Sequence, residues 1–295
     1  MLAGAAFALA AGKLSAFKSH ITKMRLSAIT DAVGKTQADA IDFAKHYGLQ
    51  WVELRNVPET KKEFTFLSEP ELKAAAAELA ANKLKVSFLD TSLLKFAWPG
   101  LIPADTAKEP DQKRWDRRKE DFAAALRAAN ILGAEKIRIF TGARVAHPET
   151  AYPMVVRTLE ELIPDAEKAK VKLLIQNEET QNVGTSAEAK AIMELLPSKT
   201  IGFNWDPGDA QFLKESPWPE GYALLPKNRM MNVQFKTQNL LDGPEKLNWR
   251  AILEAMQKDN YQGELGLETH VPPDTLIDKA HECMKEMMHI VGELS

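Results

Sequence analysis

The sequence predicts a single-domain (β/α)8 barrel, and three observations carry that expectation. From Arg25 onward, short apolar or β-branched runs alternate with helical patterns, the order that sets parallel strands behind crossover helices. There are eight such runs, at 26–29, 51–54, 85–89, 136–140, 172–176, 201–204, 232–235 and 264–267. No Gly-rich phosphate fingerprint follows the first, which disfavours a dinucleotide-binding open sheet. The 295 residues contain no low-complexity linker and suffice for one barrel of about 250 residues. The expected organisation is a signal-like or disordered segment over 1–22 and one barrel over 23–295.

Taken in order, the elements each have a local reason. Residues 2–12 (LAGAAFALAAG) form an Ala-rich run about half the ~20 residues a membrane-spanning helix needs, so no span is expected there. The run resembles the apolar part of a secretory signal without a basic segment ahead of it, or a frayed helix. Both a cytoplasmic and an exported, periplasmic location follow as expectations. Gly48 and Gly133 each close a helical pattern, as glycine does at a helix C-terminus. Ser68-Glu69-Pro70-Glu71 is a capping box that opens an Ala-rich helix, because the Ser hydroxyl and the Glu carboxylate satisfy the first unpaired amides. Further helices are expected over 151–170, over 187–196 behind Thr185 or Ser186, over 248–259 and over 275–294. The segment 216–225 is at best a weak helix, interrupted by Pro217 and Pro219. Cys283, among Met284, Met287 and Met288, reads as an inert thiol on a buried helix face.

Composition narrows function by exclusion. Thirty-eight basic against 41 acidic residues give a net charge of -3, which argues against a dedicated nucleic-acid binder. One cysteine excludes an internal disulfide and any multi-cysteine metal site.

In a barrel the chemistry sits at the carboxyl ends of the strands. Those positions here are Thr30 and Asp31; Glu53 and Arg55; Asp90 and Lys95; Arg144; Gln176, Asn177, Glu178 and Glu179; Asp206 and Asp209; Gln234 and Lys236; Glu268 and His270. Strand residues two apart point the same way, so Glu53/Arg55, Gln176/Glu178, Gln234/Lys236 and Glu268/His270 are same-side pairs aimed at the mouth. The loops Phe96-Ala97-Trp98-Pro99-Gly100 and Ser216-Pro217-Trp218-Pro219 suggest lids, since a Trp face stacks on the apolar face of a sugar.

Five segments carry a resemblance: Leu26-Ser27-Ala28-Ile29-Thr30-Asp31, Trp51-Val52-Glu53-Leu54-Arg55, Asn204-Trp205-Asp206-Pro207-Gly208-Asp209, Val233-Gln234-Phe235-Lys236 and Leu267-Glu268-Thr269-His270. From about Arg25 to the C-terminus the chain resembles the sugar phosphate isomerase/epimerase family, the xylose-isomerase-like TIM barrels. The resemblance implies one divalent metal held by Glu, Asp, His and Glu from strands five to eight, with the outer carboxylates moving protons on a ketose or aldose.

Carried over by position, the Asp is Asp206 and the last Glu is Glu268, whereas Gln176 and Gln234 stand where the first Glu and the His would be. Thr237 replaces the Asp that follows the lysine. The implied metal set is therefore Gln176, Asp206, Gln234 and Glu268, weakened by lost charge and a lost imidazole, with Mn²⁺ or Mg²⁺ as the expected ion.

The implied function is a sugar or sugar-derivative isomerase or epimerase working by proton abstraction beside a carbonyl. The alternatives are a catalytically degenerate sugar-binding barrel and a keto-glycoside lyase, and an endonuclease-like reading is disfavoured by the acidic balance. Expected catalytic residues are Glu268, Glu178, His270 and Lys236, and expected substrate-binding residues are Glu53, Arg55, Lys95, Trp98 and Arg144. The expected partner is a small carbohydrate, with homo-oligomerisation left open.

Overall fold

A computed structural model of the protein describes residues 20–294. The chain runs β1 (Leu26–Ala28), α1 (Gln37–Tyr47), β2 (Trp51–Leu54), α2 (Glu69–Ala81), β3 (Lys85–Leu89), α3 (Gln112–Leu132) and β4 (Lys136–Ile139). It continues through α4 (Tyr152–Glu160), α5 (Ile163–Ala169), β5 (Lys172–Gln176), α6 (Ser186–Leu195), β6 (Ile201–Trp205), α7 (Pro207–Phe212) and α8 (Tyr222–Leu224). It ends with β7 (Met230–Lys236), α9 (Thr237–Leu240), α10 (Trp249–Lys258), β8 (Glu264–Glu268) and α11 (Leu276–Gly292).

All eight strands pair in parallel in one sheet, from β1 through β8 and back down to β2. The barrel closes between β1 and β2 at a single bridge, Ile29 to Glu53. The predicted (β/α)8 barrel is the fold observed.

Outward-facing strand residues make the core with the helices. Phe235 stacks on Trp249 of α10 with ring centroids 3.6 Å apart, and Cys283, Met284 and Met287 of α11 are buried as their pattern predicts. The barrel interior is different, because it is polar. Ser27, Glu53, Ser87, Arg138, Gln176, Asn204, Asn232 and Gln234 are all buried. Most barrels fill this volume with branched apolar layers, so the hydrogen-bonding capacity of these side chains must be met inside. The lower end is sealed by a Lys136–Glu264 ion pair.

Helix starts follow the sequence closely. Thr36, Ser68 and Thr185 each close a capping box, with Asp39, Glu71 and Glu188 as the third-position partners. Gly48 and Gly133 take the left-handed conformation, φ 65° and 74°.

Two expectations are corrected. The helix expected over 151–170 breaks into α4 and α5, because Pro164 has no amide to give and its ring crowds the carbonyl four residues back. The segment 216–225 forms a wide turn over Pro217–Gly221 and the one-turn α8, since the prolines deny a longer ladder its donors. The apolar run at 2–12 lies outside the described residues. Among the described residues no helix is long and apolar enough to cross a membrane.

Candidate active site

The carboxyl ends of the strands open into a cavity of about 410 Å³. Its lining is Arg55, Asn56, Glu63, Asp90, Ser92, Lys95, Arg138, Gln176, Glu178, Glu179, Asp209, Phe212, Lys236, Glu268 and His270. Charged residues dominate it, and each is held by a traceable local device.

Asp206 follows β6 and caps α7, its Oδ1 accepting from the Asp209 amide at 3.1 Å. One turn along, Asp209 is thereby brought beside it. Asn177 fixes the same corner: its Nδ2 donates to the Asp206 carbonyl (2.6 Å) and its Oδ1 accepts from the Asp206 amide (2.8 Å). Lys236 closes β7, its amide donating to Asn239 Oδ1 of α9 at 3.0 Å. Its Nζ stands 2.9 Å from Asp206 Oδ2 and donates to Asp209 Oδ1.

A second ion cluster crosses the seam of the barrel. Arg55 donates from Nε to Asp31 Oδ1 (3.2 Å) and from Nη1 to Glu268 Oε1 (2.5 Å). The floor is built on Arg138, which donates to Gln176 Oε1 and to the carbonyls of Asp90 and Thr91, each at 3.1 Å. It also lies 3.4 Å from the Asp90 carboxylate. At the rim, Lys95 pairs with Glu178 at 2.6 Å, and the Thr180 hydroxyl donates to the same carboxylate.

These contacts separate the carboxyl groups in acidity. Burial alone would raise Glu268, but the charges of Lys236, Arg55, His270 and Arg138 hold it well below the usual carboxylate range. Asp209 goes the other way: burial, then the charge of Asp206, push it up to about 9 against the pull of Lys236. Burial also raises Asp206, Asp90 and Glu53. Burial would raise Glu178 as well, but Lys95 and the Thr180 hydroxyl bring it below its ordinary value.

Of the residues singled out in the sequence, Arg55, Lys95, Gln176, Glu178, Lys236, Glu268 and His270 line one cavity. Asp206 lies directly behind Lys236 and is fully buried. Glu53 and Gln234 are fully buried and bonded to each other, Gln234 Nε2 donating to Glu53 Oε2 at 2.7 Å, while Ser27 donates to Glu53 at 2.6 Å. They shape the interior and are absent from the cavity lining.

Trp98 and Arg144 are also absent from it. Trp98 is fully buried, its Nε1 donating to the Leu94 carbonyl at 3.1 Å and its ring packed on Trp115, so it is a core residue and no lid. Arg144 is spent on Glu188 (3.0 and 2.6 Å) at the start of α6. Trp218 packs on Tyr222 and does not line the cavity.

Arg138 is the functional residue that a reading of strand ends passes over, because it lies within β4. Its signal is the alternation Lys136-Ile137-Arg138-Ile139, two basic residues on the inward face of a strand whose other face is isoleucine. Asn56, Glu63, Ser92 and Phe212 reach the cavity from loops and a short helix, where no periodicity marks them.

The four positions the family resemblance assigns to a metal can be tested by their chemistry. Gln176 Oε1 already accepts from Arg138 and from Asn204 Nδ2 (2.8 Å), and Asp206 Oδ2 faces the Lys236 ammonium. Glu268 Oε1 is engaged by Arg55, which leaves Glu268 Oε2 and Gln234 Oε1 as oxygens without a hydrogen-bond partner. Among the described residues, no group of three or more His, Cys, Asp or Glu side chains is arranged to hold a metal ion. Two amides and two carboxylates already facing protein cations do not fit a divalent ion.

The fold and its polar mouth define a (β/α)8 barrel with a charged cavity at the carboxyl ends of its strands. The chain belongs to the xylose isomerase-like TIM barrel family, whose model matches residues 41–287. A search of curated proteins finds no match.

Among solved structures it is similar to the IolI protein with a bound zinc atom (15% identity, TM-score 0.72), covering 92% of this chain and 99% of that one. It is also similar to a D-psicose 3-epimerase from Clostridium cellulolyticum H10 with D-tagatose (12%, TM-score 0.69, 91% and 99% covered). A third is a 3-keto-D-glucoside 4-epimerase from E. coli (15%, TM-score 0.67, 91% and 99%). At such identities the likeness is one of fold.

Proposed function

We propose that the mouth takes a small carbohydrate or carbohydrate derivative and moves a proton at the carbon beside its carbonyl, as an isomerase or epimerase does. The observation that carries this reading is the placing of Glu268 and Asp209 in one cavity, on elements flanking Lys236. Their environments push the two carboxyls apart, one held ionised and the other pushed up to about 9. An ionised carboxylate is a base and a protonated one is an acid, which is what proton transfer beside a carbonyl requires.

Glu268 takes the proton. The Lys236 ammonium carries three donors; Asp209 and Asp206 face two, and the third is left to stabilise the oxygen on which charge develops. His270, 3.6 Å from Glu268 and exposed, passes protons to solvent. Arg55, Lys95 and Glu178 orient hydroxyls. The neighbours' sugar substrates, D-tagatose among them, support this substrate class. The Mn²⁺ or Mg²⁺ implied by the resemblance has no part in these steps, because the donors do not fit it.

The test is deuterium exchange, followed by proton NMR, at the carbon beside the carbonyl of D-tagatose and D-allulose in heavy water. Exchange that Glu268→Gln abolishes while binding persists is the expected result, the loss being about 10²-fold or more. Saturable binding without exchange would leave a sugar-binding barrel whose two amides mark lost chemistry. Absence of both would overturn the carbohydrate reading for these ketoses.

A further inference from the structure

We propose that Lys236 is the resident cation of the mouth, standing where a divalent ion would have to sit, so that this barrel works without a bound metal. The ammonium lies 2.9 Å from Asp206 Oδ2 and is bonded to Asp209 Oδ1, and both side chains are buried. Glu268, which ends the adjacent strand β8, adds its negative charge to the field on the same nitrogen. An ammonium and a metal ion compete for the same oxygens. With only 4% of its side chain exposed, Lys236 has no wet position to retreat to.

Its departure would leave Asp206 buried without a counter-charge and Asp209 Oδ1 without its donor, which is the costly half of breaking a buried ion pair. The floor argues the same way. Arg138 and Asn204 both donate into Gln176 Oε1 and leave its Nε2 facing Asp206 Oδ2 at 3.4 Å, an amide hydrogen where a metal would need a lone pair.

The proposal stands on the geometry around one nitrogen and not on which substrate the mouth takes. A metal titration can fail while the sugar exchange succeeds, and the reverse.

The experiment is isothermal titration of the intact protein and of Lys236→Met with Mn²⁺, after dialysis against a chelator. The parent is expected to show no saturable Mn²⁺ binding and an unchanged melting temperature. Lys236→Met frees the carboxyl groups of Asp206 and Asp209 with Glu268 nearby; a hard ion displaces the Asp209 proton and water completes its shell. It is expected to bind Mn²⁺ saturably, on the order of 100-fold or more tighter than the weakest binding the parent titration would detect, the counterpart of the uncompensated charge left behind. Adding Asp206→Asn to that variant should remove the gain.

Saturable Mn²⁺ binding by the parent that Asp206→Asn abolishes would overturn the proposal. So would a folded Lys236→Met protein that binds no more tightly than the parent. Lys236→Gln, which keeps a polar tip, serves as the second variant if the methionine does not fold, and the parent titration decides independently of both.

Discussion

Arg55 and Lys236 each stand between two carboxylates, Asp31 and Glu268 for the first, Asp206 and Asp209 for the second. They differ in wetness: 21% of the Arg55 side chain is exposed against 4% for Lys236. Arg55 follows β2 and reaches the loop after β1 and the end of β8, so it laces the seam that the backbone closes with a single bridge. A planar fork with five donors suits that work, since it holds two partners at once while still touching water. Lys236 is a point charge whose side chain is nearly buried at the wall of the cavity, held in place by two carboxyl groups. Similar arrangements of charge thus brace the seam on one side of the mouth and, in the proposed function, serve proton transfer on the other.

The comparison is broken most directly by removing each cation in turn. Lys236→Met without metal is expected to lower stability by about 3–5 kcal/mol, because it strands buried carboxylates. Arg55→Met is expected to lower it by about 1–3 kcal/mol, because Arg55 is the more exposed cation and Glu268 keeps the charge of Lys236. Urea unfolding of the two variants side by side reads the difference, and equal losses would erase the distinction.

A smaller effect concerns acid. Glu268 is held below its ordinary value by cations from both clusters, so the stability it contributes is present above about pH 4.3 and is lost as pH falls below it. The parent should therefore lose stability between pH 5 and pH 3 more steeply than Glu268→Gln, as compared by urea midpoints at the two values. Lys95→Met tests the rim, where the lysine side chain is 39% exposed. Its stability change is expected within about 1 kcal/mol, and a larger loss would place Lys95 with the buried cations.

The barrel was legible because helix and strand periods alternate so regularly, and because caps such as Ser68 and Gly133 are local chemistry. The mouth was legible in part, since Arg55, Glu178, Lys236 and Glu268 sit at strand ends where parity fixes their side. What escaped depended on distant packing. Trp98, between alanine and proline, has the look of a loop aromatic, and only its burial against Trp115 on α3 makes it core. The contact of Lys236 with Asp209 requires α7 to begin immediately after Asp206, a start set by Pro207 and the Asp206 cap together. Arg138 was hidden by its place within a strand, where a charge is expected only if the barrel interior is polar.

The buried carboxylate of Glu53 has an evolutionary corollary. A β-carbon at position 266 would stand 2.2 Å from Glu53 Oε1, so the bare backbone of β8 is the space that carboxylate occupies. The two positions are therefore one heritable unit. A side chain at 266 requires the Glu53 carboxylate to shift or shorten, which costs its bonds to Ser27 and Gln234. The order of two substitutions then matters, because shortening residue 53 first opens the space that a side chain placed first at 266 would have to take from the carboxylate.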